Sequence, residues 1–392
     1  MAQLELLPAQ PIPPSGGVVE RARSFCDHPP YRADPYARRN WGGLLHSLCS
    51  YQGKLKPGIA HFLVEWFTDP GDRILDPMSG VGTIPLEARR LGRVGIGNDL
   101  SPLAAAVTRA KLEPFDVNDL DAVMTALAAA IKDGPTLAQL EALEDLDFGL
   151  NGPVREYFHD ETLREVVIAR RLFGDLPPSA ARDVVLSSLL HILHGNRPYA
   201  LSRRSHPVTP FAPSGEYEYR SLIERLQARL DRAVPELLEL AESSPAGMAF
   251  QRDCRHIELD CPVDAVITSP PFAKSLRFWS MNWLRLWLTG WTRADFASEP
   301  ARYLDVQQRD SMQPYAELAK SMHRLLKPEG LLVLHLGETA SYNMAETIRP
   351  EIDPWFDVLY AGRENVEDTE SHGLTDKGAT RAHWYLFAVA RS

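Results

Sequence analysis

Two carboxylates and two glycines stand where they can grip a small ligand. The stretch from Arg73 to Ala88 reads RILDPMSGVGTIPLEA. Ile74 and Leu75 predict a short buried strand, Gly80-Val81-Gly82 a turn, and Ile84 to Leu91 a helix. Strand, glycine turn and helix form the ligand crevice of an open α/β sheet, at the carboxyl ends of the strands. Glycines there let the backbone approach a ligand and adopt φ > 0 without steric cost. The pattern is G-x-G-T, whereas a dinucleotide site reads G-x-G-x-x-G. Asp76, at the strand end, would repel a pyrophosphate and attract an ammonium or hydroxyl group. A second strand, Arg93 to Asn98, leads into Asp99, 23 residues after Asp76. An acid there commonly holds a ribose diol. The crevice therefore suits a nucleoside carrying a cationic amino acid, and S-adenosylmethionine fits. The alternative, a structural turn in some other α/β protein, leaves the acids and glycines to coincide by chance.

A second constellation follows far downstream. VDAVITSPPF, Val263 to Phe272, is a β-branched apolar run stopped by Ser269-Pro270-Pro271-Phe272. Proline cannot donate to a ladder, so the chain must leave the sheet there, beside the crevice. Other candidates have two readings each. Lys54 in QGKLKP either touches the ligand's carboxylate or belongs to a solvated loop. Asp253, ending a short strand near Phe250, either bonds an adenine amino group or is a surface acid. HGNRPYALSRRSHPVTPF, His194 to Phe211, holds Arg197, Arg203 and Arg204 with no acid. Guanidiniums beside aromatics suit phosphates and stacked bases, although its prolines could equally bury this loop. Lys274 and Arg277, just past the proline turn, are expected at nucleic acid as well. Trp279, Trp283, Trp287 and Trp291 recur every four residues, a stripe that suits core or a dimer contact better than base stacking.

The elements that must carry these groups read as a soluble globular protein of 392 residues, 44% apolar and 24% charged. A formal net charge of −10 disfavours a general nucleic-acid binder but allows a local basic cleft. Four scattered cysteines without a C-x-x-C imply neither zinc nor a disulfide framework, and a reducing cytoplasm is expected. No apolar run of membrane-spanning length and no signal-peptide layout occur. Residues 1–49 are expected as an N-terminal arm. Residues 50–112 and 248–392 should form the catalytic α/β domain. Residues 113–247, mostly of helical period, should be an insertion over the crevice and the candidate target-recognition region. Within the second part, 316–326 reads as a helix, LLVLHLGE as a strand, and VLYAGREN with HWYLFAVAR as a closing hairpin. The polar run 362–381 between these two strands has no reading.

DPMSGVGT followed by TSPPF resembles the amino-methyltransferases of DNA, whose motifs read roughly D-P-F-x-G-x-G-T and [DNS]-P-P-[YF]. QGKLKP resembles that family's additional cofactor-contacting segment. The likeness covers about 50–111 and 250–340, with Met78 in place of the usual Phe. It implies a Rossmann-like methyltransferase sheet with a large helical insertion, S-adenosylmethionine as donor, and double-stranded DNA as partner. A cognate restriction endonuclease is a further partner such enzymes can have. It implies donor contacts from Lys54, Asp76, Pro77, Met78, Gly80, Gly82, Thr83, Asp99 and Asp253. Ser269 and the Pro270 carbonyl would accept hydrogen bonds from the target amine, Pro271 would complete the turn, and Phe272 would stack on a flipped base. Serine at the first position is commoner in cytosine-N4 enzymes, and Asp or Asn in adenine-N6 enzymes. Cytosine-C5 chemistry needs a thiolate after a proline, and no Pro-Cys occurs. An RNA enzyme of the same fold, or a binding protein with a relict pocket, are the competing readings.

Overall fold

A computed structural model describes residues 11–38, 41–51, 53–206, 212–272, 277–366 and 380–392. The described residues form eight strands: β1 (Arg73–Asp76), β2 (Val94–Asp99), β3 (Met248–Gln251), β4 (Val263–Thr268), β5 (Leu326–Thr339), β6 (Tyr342–Asn343), β7 (Phe356–Asn365) and β8 (Thr380–Ala390). They lie in one sheet of order β3-β2-β1-β4-β5-β8-β7, with β6 paired to β5. β3, β2, β1, β4 and β5 are mutually parallel, and β8 runs antiparallel between β5 and β7. The order reverses between β1 and β4, the topological switch point where doubly wound sheets bind ligands. Ile74, Leu75, Val266, Ile267, Leu332 and Val333 are fully buried, as central strands covered on both faces require. This is the Rossmann-like methyltransferase sheet the sequence implied.

Four helices set the sheet's near surroundings: α1 (Val18–Asp27), α2 (Pro57–Phe67), α3 (Thr83–Arg90) and α4 (Pro102–Leu112). Pro57 opens α2 and Pro102 opens α4, where a missing N–H costs nothing. α1 was not expected. Its Phe25 packs edge-on against Tyr385 of β8, ring centroids 5.1 Å apart, and Arg21 Nη1 donates to the Trp66 carbonyl at 2.7 Å. This part of the expected arm is therefore docked on the sheet; its amphipathic face, Ala22, Phe25 and Cys26, spans too few turns to show a period.

The insertion forms α5 (Val117–Asp133), α6 (Leu137–Glu141), α7 (Asp160–Asp175), α8 (Ala180–Ile192) and α9 (Leu222–Ser243). After β4 come α10 (Phe278–Met281), α11 (Trp283–Leu288), α12 (Arg293–Ser298), α13 (Leu304–Gln307) and α14 (Gln313–Leu325), and α15 (Met344–Ile352) follows β6. Insertion helices share one apolar core with α4 and α11, in which Trp283, Trp287 and Trp291 are buried. The tryptophan stripe is thus core, and its helix breaks at Asn282, which separates α10 from α11. Among the described residues, none of 113–247 lines the cleft at the switch point; residues 302–305 do. Of the insertion's described helices, α8 packs against α4. No described helix is long and apolar enough to cross a membrane.

Candidate active site

β1 delivers Asp76 to the sheet's carboxyl edge, almost fully buried. Asp76 Oδ1 accepts from Thr268 Oγ1 at 2.7 Å and from the Met78 N–H at 3.2 Å. Burial pushes its pKa up to about 7; those two bonds pull it down and the charge of Asp99 adds to the rise. Asp99, at the end of β2, accepts from the Gly80 N–H and the Ser101 N–H, both at 2.9 Å. Burial raises it to about 6 against these bonds, with Asp305 adding repulsion. Gly80 has φ +51 and Gly82 φ +71. A Cβ on Gly82 would lie 2.9 Å from Thr108 Oγ1, so this glycine lets the turn sit down on α4. Thr108 Oγ1 donates to the Gly80 carbonyl at 3.1 Å, and the buried Lys111 ammonium donates to the Val81 carbonyl.

These groups line one cleft at the carboxyl edge of the sheet, where doubly wound sheets bind ligands. Asp76, Pro77, Met78, Gly80, Thr83 and Asp99 all face it, as do Lys54 and Asp253. Gly82 does not, and acts through the turn. A ligand bearing an ammonium or sulfonium would favour the ionised form of these two buried carboxylates. The residues thus fit S-adenosylmethionine. Two expected donor contacts are otherwise engaged. Lys54 Nζ donates to the His46 carbonyl. Asp253 is gripped by Arg255, whose Nε and Nη2 reach its two oxygens at 2.8 and 2.6 Å.

Ser269 and Pro271 line the same cleft. The Asp76–Thr268 bond explains why: β1 and β4 are adjacent, and the proline turn begins one residue after Thr268. Pro270 is buried and does not line the cleft. Phe272 also departs from expectation. Its ring packs on His335 and His383, with centroids 5.3 and 5.8 Å away, over Gly337, where a Cβ would be 2.5 Å from it. It is a sheet-packing residue here, and Phe278 takes the place beside the cleft. Phe278 lies over Gly53 and parallel to Tyr51, the rings 6.2 Å apart at 2°.

The expected nucleic-acid residues divide. Arg203 Nε and Nη2 donate to the Gly215 carbonyl at 2.9 and 2.6 Å, and Nη1 to the Glu156 carbonyl at 3.1 Å. Its guanidinium, 4.0 Å over the Tyr217 ring, locks the loop to its surroundings and is not a free phosphate ligand. Arg204 is exposed while its backbone bridges Gly195 and Ser214. Arg197 is exposed, with Nη1 donating to Tyr199 Oη at 2.5 Å and lying 3.0 Å from His191 Nε2. Arg277 is exposed ahead of α10. Lys274 lies outside the described residues.

Sequence reasoning missed four further residues at the site. Tyr51, Tyr303 and Asp305 line the cleft. His335 of β5 reaches Ser269, with Nδ1 2.9 Å from Oγ. Only His335 carried a signal, as the one polar side chain in the apolar run LLVLHL.

Residues 47–116 match the family model of the RMKL-like methyltransferase domain. They hold β1, the glycine turn, β2 and α4, the donor half of the cleft. The donor of this domain is S-adenosylmethionine. A stretch of 123 residues is 25% identical to the type II methyltransferase M.MjaII of Methanocaldococcus jannaschii, covering 31% of this chain and 23% of that protein. The matched stretch thus spans under a quarter of that relative's length. Solved structures that align include TrmN from Thermus thermophilus, at 12% identity over 87% of this chain and 50% of that one, TM-score 0.33. The rRNA methyltransferase aviRa from Streptomyces viridochromogenes aligns at 12% identity over 88% and 89%, TM-score 0.33. Scores this low carry no argument about substrate. The coarse assignment, a methyltransferase domain, rests on the matched segment and on the strand order.

Proposed function

We propose that this protein methylates an exocyclic amine of a base in double-stranded DNA, cytosine N4 in particular, with the base flipped out of the helix. The observation that carries the reading is the Thr268–Asp76 hydrogen bond, 2.7 Å long, which ties the start of the proline turn to the donor carboxylate. Ser269 and Pro271 thereby share one cleft with Asp76, Gly80 and Asp99.

S-adenosylmethionine supplies an electrophilic methyl group on a sulfonium. Asp76 and Asp99 hold the donor's cationic and hydroxyl groups from one side. An exocyclic base amine is a poor nucleophile because its lone pair is delocalised into the ring. Ser269 Oγ accepts a hydrogen bond from that amine and pulls it towards tetrahedral geometry, so positioning supplies most of the rate. Phe278 offers a face to the flipped base, the role expected of Phe272.

The preference for cytosine rests on the neutral hydroxyl of Ser269 and on Phe278, the one of three bulky neighbours (Phe272, Phe278, Trp279) that lines the cleft. Likeness to a type II methyltransferase supports methyl transfer as the reaction. The test is incubation of purified protein with methyl-labelled donor and either genomic DNA or total RNA. Label in DNA, lost in Asp76→Ala, is the expected result. Label in RNA alone, or in neither, refutes the reading.

A further inference from the structure

We infer that His335 is a positioning residue for methyl transfer: it holds the Ser269 hydroxyl and takes its proton as the target amine releases one. This rests on the function proposed above and extends it. Ser269 lines the cleft, and His335 Nδ1 lies 2.9 Å from its Oγ. The imidazole is buried and wedged between the rings of Phe272, His383 and Tyr385, at 5.3, 4.5 and 5.1 Å. Nε2 finds no hydrogen-bond partner among the described residues. In most histidines the second nitrogen's partner sets the tautomer; here the Ser269 bond alone sets it. Neither Pro270 nor Pro271, which follow Ser269 in the turn, has a side chain that accepts a proton. Burial holds the imidazole well below its ordinary pKa, helped by its electrostatic coupling to His383 on β8 and to Lys56 ahead of α2. His335 is therefore neutral at physiological pH, and in the inferred tautomer its Nδ1 accepts from the Ser269 hydroxyl.

The proton balance requires such a group. As the amine nitrogen bonds to the methyl carbon, the carbon–sulfur bond breaks and its electron pair stays on sulfur. The positive charge passes to the methylated amine, which must lose one N–H proton. That proton moves to Ser269 Oγ while the serine proton moves to His335 Nδ1, leaving a neutral amine, a neutral serine and an imidazolium that later returns its proton to solvent. A depressed imidazole pKa does not prevent this, because an aromatic amine that has just been alkylated is a far stronger acid than an imidazolium.

Two measurements test the inference. Nitrogen-15 NMR of histidine-labelled protein without ligand should show His335 with Nδ1 unprotonated; a proton on Nδ1 overturns it. His335→Asn keeps a hydrogen-bond acceptor where Nδ1 stands and removes the base. Single-turnover transfer to genomic DNA should fall about 100-fold, the low end of general-base effects, while donor affinity stays unchanged. An active wild type beside an equally fast His335→Asn overturns this inference alone. A wild type that transfers to no DNA overturns the proposed function and this inference with it. If His335→Asn fails to bind donor, the NMR result decides.

Discussion

Asp76→Asn should make the empty protein more stable and the donor bind worse. The buried carboxylate of Asp76 is raised from the ordinary 3.8 to about 7, chiefly by burial. Above pH 7 the folded protein must hold an ionised group that the unfolded chain holds at less cost. At about 1.4 kcal/mol per pH unit, the rise corresponds to roughly 4 kcal/mol of destabilisation. The sign follows from proton counts: between pH 3.8 and 7 the folded state binds more protons than the unfolded one, so this contribution worsens as pH rises. Asparagine removes the charge, and its oxygen can still accept from Thr268 and Met78. Denaturant unfolding of ligand-free protein at pH 8 should show the variant more stable, by up to about 4 kcal/mol. At pH 5 the gain should shrink to less than half, and below pH 4 it should vanish. Calorimetric titration at pH 8 should show donor affinity weakened by about 1.5–3 kcal/mol, the worth of a hydrogen bond to a charged group. A variant less stable than wild type at pH 8, or a gain equal at pH 5 and pH 8, would refute the claim that ionising this buried acid costs stability in the empty protein.

Three further outcomes follow from the same geometry. Ser269→Ala should lower turnover by roughly 100-fold with donor affinity intact, because its bond matters most as the amine pyramidalises; equal losses in binding would place Ser269 in the donor site. Arg204→Ala should flatten the salt dependence of DNA binding by about one unit of slope, whereas Arg203→Ala should leave the slope alone and speed proteolysis within 194–216; the reverse pattern would restore Arg203 as the phosphate ligand. Trp287→Ala, at a position 2% exposed, should cost about 3–5 kcal/mol in denaturant unfolding without changing the folded protein's donor affinity, and a smaller cost would deny the stripe its core role.

What the sequence made legible was local. Strand β1, the glycine turn and α3 are contiguous, so their apolar run, φ > 0 residues and helix period all show within 20 or so residues. The strand before Ser-Pro-Pro-Phe is readable for the same reason. Long-range pairings left no such trace. His335 meets Ser269 across 66 positions only because β5 is β4's neighbour. Asp253 was readable as an acid at a strand end, but its capture by Arg255 depends on a one-turn helix, Cys254–His256. Phe272 turns onto the sheet because Gly337 leaves a hollow there, which no motif encodes. The insertion's helices were visible from their period, yet their place beside α4 was not, since a helical pattern gives a buried face and not the partner it will bury. α15 was missed although Asn343 caps it and Met344, Ala345, Ile348 and Ile352 form one face.

The central claim is the identity of the methylated atom. DNA from cells expressing the protein, digested to nucleosides and analysed by mass spectrometry against cells expressing Ser269→Ala, tests it most directly. N4-methylcytosine that depends on Ser269 is the expected result. N6-methyladenine as the sole product would overturn the base assignment and leave the amine mechanism standing; DNA without any added methyl group, beside methylated RNA, would contradict the account.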